Sequence, residues 1–138
     1  MKFAFATGLT AAALATTAFA ASHEMAPMVE ASDQSVENGV VSADMVNAPA
    51  NGWLVVHRTD SEMAPGPVVG YAPLRMGENA DVAAILQEDV APGDMLMLMI
   101  HSEEGGMSTG VFEYTLGAKE DGPIRVDENL VMKTITAQ

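Results

Sequence analysis

At 138 residues the chain fits a single domain, and with 49% hydrophobic residues it can bury a core without disulfides, which its lack of cysteine rules out. The same lack excludes a lipidated cysteine anchor. A formal charge of −13 argues against nucleic acid and anionic membrane surfaces as partners, because both select clustered Lys and Arg.

The amino terminus has the layout of a secretory leader. Met1-Lys2 is followed by a stretch rich in Ala, Phe and Leu, and Ala18-Phe19-Ala20 places small residues at both key positions of a cleavage site. Thr7, Gly8, Thr10, Thr16 and Thr17 dilute it too far for a membrane span, which needs about 17 apolar residues or more. Residues 1–20 are therefore expected to be a signal peptide, and the protein to be periplasmic or secreted. Their removal takes Lys2 and no acid, leaving five Lys and Arg against 19 Asp and Glu and a formal charge of −14. The longest later apolar run is 95–100, too short for membrane insertion.

Residues 21–33 mix Pro, Ser and acids without periodicity and read as a flexible arm. From residue 34 to 138, turn signals recur at short intervals: Asn38-Gly39, Asn51-Gly52, Pro65-Gly66-Pro67, Gly77-Glu78-Asn79, Pro92-Gly93-Asp94, Gly105-Gly106, Asp121-Gly122-Pro123 and Asp127-Glu128-Asn129. Strand-length runs lie between them at 40–46, 53–57, 68–71, 82–86, 95–101, 111–114 and 130–136, with a short first strand at 35–37. This pattern predicts an all-β fold, an immunoglobulin-like β-sandwich of about seven or eight short antiparallel strands. Trp53 is expected at the centre of its core, between the two sheets.

Asp33-Gln34, the run Gly52-Trp53-Leu54-Val55-Val56-His57, Pro65-Gly66-Pro67-Val68-Val69-Gly70 with Leu74 and Gly77, Met99-Ile100-His101 and Asp121-Gly122-Pro123 together resemble a domain of unknown function. That domain recurs in haloarchaeal cell-surface proteins and small exported bacterial proteins. The resemblance spans roughly residues 33–136 and implies a β-sandwich module outside the cell, with no reaction attached.

No catalytic motif stands out. A nucleophilic triad needs a Ser, Cys or Thr beside an oriented His, and no Ser lies in a nucleophile elbow. His101-Ser102-Glu103 are strand neighbours whose side chains alternate in direction. His57 and His101 each end an apolar strand, where an enzyme or ligand site could gather. If the two strands are antiparallel neighbours, however, roughly 15–20 Å of strand at about 3.3 Å per residue separates the two His, and each is expected to bond a loop group alone. Met95, Met97 and Met99 alternate with Leu96, Leu98 and Ile100, which puts three thioethers on one strand face, either as core filler or as a surface for a partner or soft metal.

Cleavage after Ala20 would expose Ala21-Ser22-His23. The amine of Ala21, two deprotonated amides and the His23 ring then supply four nitrogens in a plane, the geometry of Cu(II) and Ni(II). Met25 and Met28 follow as softer ligands for Cu(I). The sequence thus points to an exported, non-enzymatic binding module for an unknown protein or small ligand. Its alternatives are a periplasmic copper-binding protein and an enzyme with a site around His57 or His101. The leader reading has a direct check: the intact mass of the exported protein should correspond to a chain beginning at Ala21, and retention of residues 1–20 would refute it.

Overall fold

A computed structural model describes residues 25–138; the expected signal peptide and the Ala21 and His23 ligands lie outside them. Among the described residues there is no helix. Nine strands follow one another: β1 Met28–Glu30, β2 Val40–Ala48, β3 Gly52–Thr59, β4 Val68–Leu74, β5 Gly77–Leu86, β6 Met95–Ser102, β7 Arg125–Val126, β8 Asn129–Leu130 and β9 Met132–Thr136. Seven form one antiparallel sheet in the order β1-β2-β5-β4-β3-β6-β9, and β7 and β8 form a small hairpin. The fold is all-β, as expected, and sandwich-like, since the long sheet curls until its ends nearly meet.

The closure is made by backbone. Gln34 bridges Ala137 in parallel, the Gln138 N–H donates to the Gln34 carbonyl at 2.9 Å, and the Thr136 N–H donates to Asp33 Oδ1 at 2.8 Å. The Gln34 side chain also grips β2, accepting the Ser42 N–H at 2.8 Å and donating to the Ser42 carbonyl at 2.9 Å. Pairing the sheet's two ends in this way leaves less edge open to other chains.

Inside the curl lies one apolar core, built from Val41, Ala43, Val46, Leu54, Val56, Val69, Leu96, Leu98, Ile100 and Ile135 among others. Strands β3 and β6 are buried on both faces, which is why they read as continuous apolar runs. Period two sends Leu54, Val56, Leu96, Leu98 and Ile100 into this core and Trp53, Val55, His57, Met97, Met99 and His101 to the opposite face. That second face is covered by the chain between β6 and β7, residues 103–124.

Four local expectations need correction. Residues 28–30, assigned to the arm, are β1, since Met28, Val29 and Glu30 pair with Asn47, Val46 and Met45; three residues are too few for alternation to show in sequence. The strand expected at 35–37 is replaced by a turn, closed by the Gly39 N–H on the Val36 carbonyl at 2.9 Å. The run 111–114 is not a strand, because its aromatic side chains dock on the sheet while its backbone stays out of the ladder. Trp53 is buried, but on the covered outer face and not in the main core.

Leu98 is fully buried on the core side of β6. Leu98→Ala should cost about 2–5 kcal/mol in urea unfolding, the range for truncating a buried aliphatic side chain. A loss below about 1 kcal/mol would place the stabilising core elsewhere.

A candidate site around a buried histidine pair

Strands β3 and β6 pair in the register Trp53↔His101, Val55↔Met99 and His57↔Met97, so these six side chains share one face. The two His stand at opposite ends of the patch, and their rings lean toward each other over the Val55–Met99 pair. His57 Nε2 and His101 Nε2 meet at 3.2 Å in hydrogen-bonding geometry, with ring planes 28° apart. The separation expected from strand length is therefore overturned. It counted backbone rise alone, whereas side chains on a strand also lean along its direction.

Each ring is held from behind by a backbone carbonyl. His57 Nδ1 donates to the Gly66 carbonyl at 2.7 Å, and His101 Nδ1 to the Asp121 carbonyl at 2.6 Å. Gly66 sits in the β3–β4 turn, its N–H donating to the Arg58 carbonyl at 2.7 Å, and a Cβ there would lie 2.7 Å from that oxygen. Asp121 takes the left-handed conformation at φ 45°, which Asp tolerates better than most residues, and its N–H donates to the Glu104 carbonyl at 2.8 Å. Asp121 Oδ2 accepts the Glu113 N–H at 2.8 Å, while Oδ1 is buried without a partner.

Aromatic side chains wall the pair. Tyr114 stands edge-on to both rings, 4.5 Å from His101 and 5.8 Å from His57 between centroids, and its hydroxyl accepts the Gly117 N–H at 3.3 Å. Phe112 packs between Tyr71 and Trp53, and the Trp53 indole N–H donates to Glu103 Oε2 at 2.6 Å. Both His are 0% exposed.

The hydrogen count at this site does not close. The two carbonyl contacts and the nitrogen–nitrogen contact each need one hydrogen, and two neutral imidazoles carry two. With both Nδ1 atoms donating to carbonyls, both Nε2 atoms present bare lone pairs to the same point. A third proton would satisfy the contact, but burial opposes it: desolvation pushes the His57 imidazole down, and desolvation together with the neighbouring His57 holds His101 at about 4 despite the Asp121 carbonyl. The Nε2–Nε2 contact therefore lacks its hydrogen while both rings are neutral.

The other residues singled out by sequence are placed differently. Met97 and Met99 are buried beneath the covering segment and form no solvent-facing row; Met95 is half-buried at the strand end. Met28 is fixed opposite Asn47 in β1, whereas Met25 is 48% exposed. Sequence reasoning missed Gly66, Phe112, Tyr114 and Asp121. The available signal was Phe112 and Tyr114, two aromatics at spacing two in a stretch of Gly, Ser, Thr and acids. An open cleft nearby, bordered by Asn51, Trp53, Arg75, Asn79 and Glu103, has much of its hydrogen-bonding capacity engaged internally, Asn51 Oδ1 accepting the Met76 N–H and the Asn79 amide bonding the Arg75 backbone.

A family model described as "Domain of unknown function (DUF7282)" matches residues 27–138. No curated protein and no solved structure matches the chain. The match extends the resemblance read from sequence to the whole of β1 and the carboxyl terminus, and it speaks to family alone, not to where its members occur.

The depressed His values fix a pH dependence. In the unfolded chain both imidazoles titrate near 6.5, so below that value the unfolded state binds more protons than the native one. Stability of the metal-free protein should be full above about 6.5 and fall as pH drops toward about 4, the value of His101. Urea midpoints across that window, compared with His57→Leu/His101→Leu, check this; equal slopes in the two proteins would show that the pair does not titrate as described.

Proposed function

The chain belongs to the DUF7282 family of unknown function, and on that premise we propose that it is an exported, non-enzymatic binding module that holds one metal ion between His57 Nε2 and His101 Nε2. The observation that carries this reading is the missing hydrogen: two nitrogen lone pairs, fixed by separate backbone carbonyls, converge on one point.

The spacing suits a metal. Two nitrogens 3.2 Å apart, each about 2.0–2.1 Å from an ion, subtend an angle of about 100–105° at it, close to tetrahedral. Carbonyl bonds to the second ring nitrogen orient metal-binding imidazoles in just this manner, fixing the tautomer and raising ligand basicity. Neither imidazole reaches solvent, which favours holding an ion over exchanging protons with a substrate. The amino-terminal arm supports a second, separate copper reading through Ala21 and His23, and His23→Ala distinguishes it from the buried pair.

Thermal denaturation of the His23→Ala protein against Zn(II), Co(II), Ni(II), Cu(II) and Cu(I) tests the proposal. At least one ion should stabilise by about 2.7 kcal/mol at a free concentration one hundred times its Kd. His57→Leu and His101→Leu should each abolish that gain. No stabilisation by any of these ions, or specific turnover of a substrate by the metal-free protein, would refute the reading.

A further inference from the structure

Resting on the reading of the His pair as a metal site, we propose that its ion is Cu(I), with the thioether of Met99 as third ligand beside His57 Nε2 and His101 Nε2. The register selects Met99. His57 lies level with Met97 and His101 with Trp53, so the midpoint between them, over which the Nε2 atoms meet, is the Val55–Met99 level. Of that pair only Met99 carries a donor atom, and it is 1% exposed on the same face as both imidazoles. Met97 stands one level off, beside His57 alone.

Charge points to the same ion. Among the described residues no third His, Cys, Asp or Glu joins the pair as a ligand group, so the ion meets neutral donors only. Desolvation cost rises with the square of the charge, so a divalent ion at this depth costs about four times what a monovalent one does. Asp121, whose carbonyl holds His101, also carries a buried Oδ1 without a hydrogen-bond partner. Zn(II) in a closed site takes four ligands, more than two imidazoles and one thioether supply. Cu(I) accepts three, and thioethers select it over harder ions. Since both Nε2 atoms are already bare, Cu(I) enters without displacing a proton and without change of oxidation state.

The test is anaerobic transfer of copper from the Cu(I)–bicinchoninate complex to the full exported chain carrying His23→Ala, followed by loss of the chelator's colour. One equivalent should transfer. His57→Ala and His101→Ala should weaken binding at least about 100-fold, and Met99→Leu about 10-fold, whereas Met97→Leu should stay within about twofold. Urea unfolding identifies any variant that has lost its fold, and the isosteric Leu substitutions keep the Met comparison valid if an Ala variant fails. X-ray absorption of the loaded protein should show nitrogen with one sulfur scatterer, the sulfur vanishing in Met99→Leu. Sulfur retained in that variant would overturn Met99 as ligand. Zn(II) or Co(II) bound at the pair more tightly than Cu(I) would overturn the choice of ion and leave the metal reading standing; no binding of any of these ions would overturn both.

Discussion

Two backbone carbonyls, those of Gly66 and Asp121, govern the outer half of this molecule. Each accepts an imidazole Nδ1–H, and together they fix two buried rings with their remaining nitrogens face to face. The turn between β3 and β4 must hold Gly66 in place, and the chain between β6 and β7 must return to present Asp121. If either carbonyl moves, a ring is freed to rotate and the convergence of lone pairs is lost. Burying two polar rings costs free energy unless they are hydrogen-bonded, so the clamps both orient the pair and make its burial tolerable.

The sheet divides its work by face. On β3 and β6 the residues pointing inward are branched aliphatics that pack a core of ordinary kind, while those pointing outward are, apart from Val55, His, Met and Trp residues under a long cover. Because neighbouring positions on a strand point opposite ways, the two environments are separated by the thickness of one backbone. The inner face supplies rigidity to the outer one. A site mounted on the middle of a central sheet holds its geometry better than one carried on loops.

The strands were largely legible from sequence and the site was not, for physical reasons that differ by element. Runs such as Gly52–Thr59 and Met95–Ser102 announce themselves because aromatic, branched and thioether side chains fit a strand buried on both faces. These two strands pair antiparallel, the arrangement under which the sequence placed their His residues far apart. The meeting of His57 with His101 depends on side-chain lean across two registers, a quantity that residue spacing does not carry. The covering segment defeated the reading in a similar way: its Val-Phe-Glu-Tyr stretch has strand composition, but the aromatic groups of Phe112 and Tyr114 are bound to the sheet face and not to a neighbouring strand. Residues 28–30 pair with β2, a contact that three residues of sequence do not announce.

The seam between Asp33-Gln34 and residues 136–138 has a consequence for how the molecule folds. The contact from Thr136 to Asp33 spans 103 residues, whereas the two imidazoles are 44 apart in the chain. Closing a longer loop costs more chain entropy, so the more distant contact forms later. A folding chain can therefore bring β3, β4 and β6 together before the Gln34 contacts to Ala137 and Gln138 seal its sheet. Until then both rims of the sheet stay open, and a break in the Gln34 seam would expose backbone edges able to recruit one another.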